Sequence, residues 1–407
     1  MAAIKISDHF NYTKLLKFTI PTIVMLILSS IYGVVDGTFI SNCAGSDSFA
    51  AVNIVWPIVN VFGAVGIMIG SGGSALVSKT MGENKKEKAV KYFSMLIYFE
   101  IIIGVILSVI GSSLLRPLAK LMGAEGNVLE YGISYGRIIY ITFTAYILQN
   151  SFQSFMVAAE KPKLGLLISV TAGIVNMLFD FILIYLCKMG VKGAAIATAL
   201  SQCVGGLLPL TFFMCKNSTN YRLIKTGLEF KPILKACSNG LSGMVMVMSL
   251  SIINMLYNFQ LLRWIGPKGV TVYGIIQYIL CIFGGFLMGY SQGSVPIISY
   301  HYGAQNVDEI QNLLKRGLVI IFTASLIFFG ITEALAPVVA KIFVLSGYNS
   351  FSSSFFTGLN NGKVAAIISI SRMLIFESGS IFILPLMFGL NGIWMAVTVA
   401  ETISEEI

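Results

Sequence analysis

Four polar side chains stand in apolar stretches of this sequence, where they could bind a cation. Asp180 follows Asn176 by four residues, so the two side chains share one face of a helix. Asp36 lies in an earlier apolar stretch, and Thr198 adds a hydroxyl oxygen in a later one. Carboxylate and amide oxygens are hard ligands that suit Na⁺ or a proton. We therefore predict a cation site from Asp36, Asn176, Asp180 and Thr198, with the first three as metal ligands if the ion is Na⁺.

A structural role is the alternative for each of these residues. A charge inside lipid costs at least about 2.5–3.5 kcal/mol on insertion scales, which favours a functional role for Asp36 and Asp180. Asn176 and Thr198 are equally suited to hydrogen bonds between helices.

Other polar residues in apolar stretches are harder to interpret. Glu377 follows Arg372 by five residues. It could pair with Arg372 or line a cavity, and the sequence does not favour either role. Glu100 and Glu333 are expected near helix ends, where they reach water. Arg137 has no partner that the sequence identifies. The residues predicted to line a cavity are Glu377, Gln292, Gln277 and Tyr32.

The elements that must position these residues are membrane helices. Of 407 residues, 56% are hydrophobic and 11% are charged, and the mean hydropathy is +0.84. This composition excludes a disordered chain, a disulfide scaffold and a nucleic-acid-binding module. Apolar windows of about 20 residues predict ten spans between residues 15 and 388, and a shorter one covers 390–403. The sequence therefore predicts an all-α polytopic membrane protein.

The distribution of basic residues predicts the orientation of the spans. The net charge is +9. With the amino terminus in the cytoplasm, the inside loops hold more than twice as many Lys and Arg residues as the outside loops. The charge therefore reports topology and gives no indication of a nucleic-acid partner.

The chain also repeats itself. A shift of 221 residues places Gly72 and Gly82 on Gly293 and Gly303, and a shift of 199 places Gly190 on Gly389. Two parallel six-helix lobes follow, with substrate expected in a central cavity between them.

The repeat sets the predicted domains. Residues 1–214 form the amino-terminal lobe, 215–235 a cytoplasmic linker and 236–407 the carboxy-terminal lobe. The second half is about 21 residues short, so that span ten is largely missing near 346–355 and about eleven of twelve spans are visible. A true deletion and omitted residues both remain open.

Motifs for other chemistry are rejected. Gly289-Tyr290-Ser291-Gln292-Gly293 matches a nucleophile pattern, but it lies in an apolar stretch without a strand–turn–helix context. The sequence has no Walker A motif, and its six cysteines have no C-x-x-C spacing. We therefore expect no enzyme activity and no cofactor other than a coupling Na⁺ or H⁺.

Several motifs follow one another in a fixed order, namely Ile20-Pro21, Val35-Asp36-Gly37, the segment 176–180, the segment 190–198 and Gln292-Gly293. In this order they resemble the motifs of the multidrug and toxic compound extrusion (MATE) family, in particular its bacterial multidrug-efflux branch. The resemblance implies a twelve-helix antiporter that exports amphipathic cationic drugs in exchange for Na⁺ or H⁺. It also implies that Asp36, Asn176, Asp180 and Thr198 couple the cation, while Pro21 is the point where the first helix bends.

Further expectations concern partners and location. The protein is expected in the bacterial cytoplasmic membrane, in contact with lipid and small amphipathic cations, as a monomer and without nucleic acid.

Three other functions explain the sequence less well. A flippase for lipid-linked saccharides needs arginines to hold pyrophosphate, and only Arg137 and Arg372 are intramembrane. An intramembrane enzyme lacks a His/acid or His/Cys cluster at one depth. A receptor or scaffold leaves the buried acids as an unexplained cost.

Overall fold

The computed structural model describes residues 4–264, 267–335 and 354–404, with the backbone alone for 267–282 and 331–335. All regular elements in these ranges are helical. The helices are α1 (Tyr12–Ala44), α2 (Ser46–Gly82), α3 (Lys86–Leu121), α4 (Gly126–Ile141), α5 (Phe143–Ala158), α6 (Pro162–Leu186), α7 (Val191–Met214), α8 (Phe230–Trp264), α9 (Pro267–Gly303), α10 (Val307–Leu335), α11 (Gly362–Phe388) and α12 (Leu390–Ser404).

Eight of the described helices are each long and apolar enough to cross a membrane. The helices begin and end at residues whose chemistry explains the boundary. Asn11 caps α1 by accepting a hydrogen bond from the amide of Lys14 at 2.8 Å, and Pro162 opens α6 at a position where its missing N–H costs nothing. The fourth crossing consists of α4 and α5, which are separated at Thr142.

The internal repeat is visible in the backbone. Gly190 before α7 has φ 57° and ψ −136°, and Gly389 before α12 has φ 57° and ψ −137°. This left-handed geometry favours glycine, and it turns the chain tightly between the last two helices of each lobe. The two halves therefore end in the same hairpin, as the sequence predicts.

The structure bears on two of the predicted boundaries. α8 begins at Phe230, so a helix starts inside the stretch 215–235 that the sequence assigns to the linker. The shortfall near 346–355 falls almost wholly outside the described residues, which resume at 354.

The lobes meet at symmetry-related glycines. A Cβ built on Gly82 would lie 2.0 Å from the carbonyl oxygen of Tyr300, and one on Gly303 would lie 2.0 Å from that of Lys79. The 221-residue repeat relates Gly82 to Gly303 and Lys79 to Tyr300, so it exchanges the two contacts. They lie at the end of the bundle that the sequence assigns to the cytoplasm. The lobes therefore touch backbone to backbone on that side.

A segment before α1, residues 4–11, adds a second connection, and we call it the N-terminal strap. The amide of Ile6 donates to Glu160 Oε1 at 2.9 Å, and that of Phe10 donates to Glu309 Oε1 at 2.8 Å. Glu160 lies between α5 and α6 in the first lobe, whereas Glu309 lies in the first turn of α10 in the second. The Phe10 side chain is fully buried. The strap is thus fixed to both lobes.

The glycine contacts make a prediction about lobe separation. Gly82→Val places a side chain against the Tyr300 carbonyl, so the lobes should open on this side. Cys237 lies on the α8 surface that faces the first lobe. When it is kept as the single cysteine, we expect it to react with a maleimide several-fold faster in the Gly82→Val variant than in the protein with Gly82.

Gly330→Val is the matched control, because a Cβ at Gly330 meets nothing within 4 Å. Equal labelling rates in the two valine variants would show that the contact at Gly82 does not hold the lobes together on this side.

Candidate cation site in the amino-terminal lobe

The site lies where regular helix gives way to a wider turn. Asp36 is four residues before the π-helical turn Ile40–Ala44 that ends α1. Asp180 directly precedes the π-helical turn Phe181–Leu186 of α6. Such turns occur disproportionately at functional sites, because the extra residue redirects side chains and leaves carbonyls less constrained.

The two carboxylates face each other. Asp36 and Asp180 are direct neighbours, and Asp180 is 0% exposed. One oxygen of Asp36 and both oxygens of Asp180 are buried with no hydrogen-bond donor. Buried polar atoms are normally satisfied, and like charges at this distance repel. The pair is therefore an acceptor set that a cation would complete.

A cavity of about 160 Å³ opens onto the pair. Its lining includes Asp36, Asn176 and Thr198, three of the four predicted residues, and Asp180 neighbours Asp36. No Lys or Arg is among the lining residues that the structure describes. The volume is below the 300–1,000 Å³ that is typical of a drug-sized pocket, so the cavity suits an ion.

The donor set fits Na⁺ or a proton. Asn176 and Thr198 are almost fully buried, at 7% and 9% exposure, and both line the cavity together with Asp36. All these ligands are oxygens, which are preferred by hard cations. The structure thus brings all four predicted residues together; their role in coupling stays a prediction.

Other residues around the site were missed from sequence. Tyr135 of α4 is 1% exposed and lies against Thr198 and the carboxylates, and Gln202 lines the cavity. Gln202 follows Thr198 by one helical turn, a spacing that could have identified it. Nothing in the pattern of the fourth span singles out Tyr135.

The residues predicted to line a cavity are dispersed. Tyr32 lines the cation cavity. Gln292 is half-buried on α9, and Glu377 lies in the other lobe. The side chain of Gln277 is outside the described residues. Pro21 is buried within α1, and the helix continues through it.

The expectation that Glu100 reaches water is wrong. Glu100 is 0% exposed, and it accepts a hydrogen bond from Ser151 Oγ at 2.7 Å. The reason is that α3 packs against α5 at this level, with Ser151 as the contact. Arg137 is exposed on α4, and the side chain of Glu333 is outside the described residues.

Comparison with known proteins agrees with this architecture. The MatE family profile matches residues 21–182 and 243–347, and the chain therefore belongs to the MATE family of multidrug efflux transporters. Family membership confirms the prediction of a multi-pass membrane transporter and not an enzyme.

Curated relatives cover nearly the whole chain. Multidrug export protein MepA of Staphylococcus haemolyticus is 26% identical over 96% of this chain and 91% of its own length. The protein of the same name from Staphylococcus aureus (strain NCTC 8325 / PS 47) is 24% identical over the same shares.

Solved structures confirm the fold class. A MATE protein in the straight conformation has a TM-score of 0.91 at 21% identity, with 97% of this chain and 94% of that one covered. A multidrug resistance MATE family transporter in an outward-facing conformation has a TM-score of 0.90 at 22% identity, with the same coverage. At these identities the likeness establishes the twelve-helix, two-lobed fold.

The facing carboxylates predict an unusual effect on stability. Asp36→Asn removes one of two like charges, so we expect the apparent Tm of the purified protein in alkaline buffer to rise, on the order of 2 °C. The gain should shrink in acid buffer, where a shared proton already relieves the repulsion.

Asn176→Asp is the opposite control, because it adds a third carboxylate to the cavity and should lower the Tm in alkaline buffer. A lower Tm for Asp36→Asn in alkaline buffer would contradict the close contact.

Proposed function

We propose that this protein is an antiporter that exports amphipathic cationic drugs across the bacterial cytoplasmic membrane in exchange for Na⁺ or H⁺. The observation that carries the proposal is the pair Asp36 and Asp180, whose buried oxygens lack donors. Two facing carboxylates inside a membrane bind a cation at a much lower cost than they hold two bare charges. The curated relatives are named multidrug export proteins, which supports the drug substrate.

The absence of basic residues from the described lining of the ion cavity argues against a phosphate-bearing ligand at this place. A flippase for lipid-linked saccharides would place arginines near its phosphates. The ion cavity instead has Tyr, Trp, Gln and Asn side chains beside Asp36. Aromatic faces attract organic cations, so this environment favours positive charge.

Coupling arises because the cation and the drug favour different conformations of the transporter. The outside cation binds Asp36 and Asp180, which ties α1 to α6. α1 then bends at Pro21, because a proline leaves the preceding turn without one ladder hydrogen bond. The bend narrows the space between the lobes and displaces drug outward. A drug that bound both states equally would not be coupled, so the bound cation must weaken the outward drug site.

Orientation and assembly complete the proposal. The excess of Lys and Arg in alternate loops supports a cytoplasmic amino terminus. Both lobes that enclose the path belong to one chain, which supports a functional monomer.

Transport by two variants tests the role of the pair. Asp36→Asn and Asp180→Asn each remove an ionisable ligand, so efflux driven by an imposed ion gradient should be lost while expression and folding persist. The measurement is efflux of a fluorescent organic cation from proteoliposomes. Glu130→Gln, at an exposed salt bridge with Arg116, is the control that should transport normally. Normal gradient-driven efflux by both asparagine variants would contradict the proposal.

The ion is identified in the same vesicles. An imposed Na⁺ gradient and an imposed pH gradient are applied separately, and the gradient that drives efflux by the unmodified protein, but not by Asp180→Asn, identifies the coupling ion. Efflux that neither gradient drives would exclude an antiporter.

A further inference from the structure

A second cavity opens between the two lobes, on the side that the sequence assigns to the cytoplasm. Its volume is about 470 Å³, and it lies between the end of α2, the start of α3 and the start of α8. It shares no residue with the cation cavity, and the proposed transport cycle does not use it. We call it the lysine pocket, because its charged lining residues are Lys79, Lys88, Lys231, Lys235, Glu83 and Glu229.

Both lobes contribute lysines to this pocket. Lys79 and Lys88 belong to the first lobe, on α2 and α3, whereas Lys231 and Lys235 lie one helical turn apart on α8 in the second. The two lobes are in close contact beside the pocket, since a Cβ built on Gly72 of α2 would lie 2.0 Å from a carbonyl oxygen of α8. A ligand in the pocket would therefore touch both lobes at once.

The glutamates of the pocket do not neutralise its lysines. Lys85 Nζ lies 2.8 Å from Glu83 Oε2, and Lys91 forms an ion pair with Glu229, so each glutamate is paired with a lysine outside the lining. Along the described part of the chain, the four lysines of the lining form no ion pair. The pocket thus has an excess of positive charge that an anion would balance.

Lysines from opposite lobes act on the same carboxylate. The pKa of Glu83 is lowered, first by the hydrogen bond from Lys85 and then, against the opposing effect of burial, by the charges of Lys79 and Lys235. Lys79 also reaches across the boundary between the lobes, with its Nζ 4.7 Å from the centre of the Tyr302 ring on α9. Like charges held on the two sides of one cavity repel each other, so a bound anion would draw the lobes together.

The pocket has an apolar rim on α8. Phe230 and Leu234 are 75% and 66% exposed, and they directly precede Lys231 and Lys235 in the chain. α8 is one of the helices that are long and apolar enough to cross a membrane, so exposed apolar side chains on it suit contact with acyl chains. Lysines beside such side chains extend their own apolar stems to reach headgroups. A basic pocket between membrane helices on the cytoplasmic side is typical of sites for anionic lipids.

From the unbalanced charge, the position between the lobes and the apolar rim, we infer that the lysine pocket binds the phosphate headgroup of an anionic phospholipid. The phosphate lies between the lysines of the two lobes, and the acyl chains lie along Phe230 and Leu234. The bound lipid holds the lobes together on this side. The anionic lipid content of the membrane thus sets how readily the lobes separate there.

Lipid binding to the purified, delipidated full-length protein tests this inference. Native mass spectrometry during titration with phosphatidylglycerol gives the Kd of the first bound lipid. We expect the double variant Lys231→Gln/Lys235→Gln to bind it roughly tenfold more weakly, because two of the four lysines lose their charge. Lys216→Gln/Lys225→Gln is the matched control, since it removes the same charge from exposed positions in the segment before α8. Equal affinity in these two double variants would overturn the inference.

A variant on the other lobe tests whether the lipid bridges the lobes. Lys79→Gln/Lys88→Gln leaves α8 unchanged and should also weaken phosphatidylglycerol binding roughly tenfold, because the phosphate contacts both pairs of lysines. Unchanged affinity in this variant would show a lipid bound to α8 alone and would overturn the bridge. Size-exclusion chromatography and thermal melting verify that each variant is folded, which we expect because Lys88, Lys231 and Lys235 are exposed.

Two further probes separate a membrane lipid from a soluble phosphate. Phosphatidylcholine with the same acyl chains has no net charge and should bind several-fold more weakly than phosphatidylglycerol. The chain-free headgroup glycerophosphoglycerol, at the concentration of the lipid, should not displace phosphatidylglycerol. Displacement would instead identify a site for soluble phosphate esters, and the lipid assignment would be wrong. Because binding is measured without drug or ion gradient, failure of the proposed antiport would not alter this result.

Discussion

The transporter depends on one electrostatic constraint, which is that two carboxylates cannot both remain charged next to each other in a medium without water. Asp36 and Asp180 meet under that constraint on helices that the chain brings together from widely separated positions. Under the proposed function, the oxygens without donors are the ligands of a cation, and they bind it only while α1 and α6 keep their present relation. A movement that separates the two helices would then change the ion affinity, and a bound ion would resist the separation.

The glycine contacts impose a second constraint, which acts between the two lobes. At Gly82 and Gly303 the lobes approach so closely that a single added carbon would collide with a carbonyl oxygen. Glycines at helix crossings in membranes allow van der Waals contact along the backbone, where no hydrophobic effect drives association. Because the repeat relates the two contacts, separation must break both together. Such an interface has few intermediate states, and this property suits a rocking motion between two conformations.

Much of the fold was predictable, because apolar length and the positions of Lys and Arg reflect the lipid surroundings directly. The repeat was readable from glycines such as Gly190 and Gly389, whose left-handed backbone few other residues adopt. The predicted cation residues converge, since Asp180 and Asn176 share a helix face and Asp36 stood out as a charge in lipid. Tyr135 and the burial of Glu100 were not predictable. Both depend on which face of one helix meets which face of another, and an almost uniformly apolar sequence does not encode that choice in its periodicity.

The N-terminal strap has a consequence for the energetics of opening. Its backbone is attached by Glu160 to the first lobe at Ile6 and by Glu309 to the second at Phe10, four positions further along the chain. A chain this short spans roughly 14 Å when extended, so it limits how far Glu160 and Glu309 can separate. Beyond that distance one amide must leave its carboxylate, at a cost of about 1.5–3 kcal/mol for a hydrogen bond to a charged group. The strap thus behaves as a tether of fixed length, and the population of widely open states on this side decreases by roughly tenfold for each 1.4 kcal/mol of that cost.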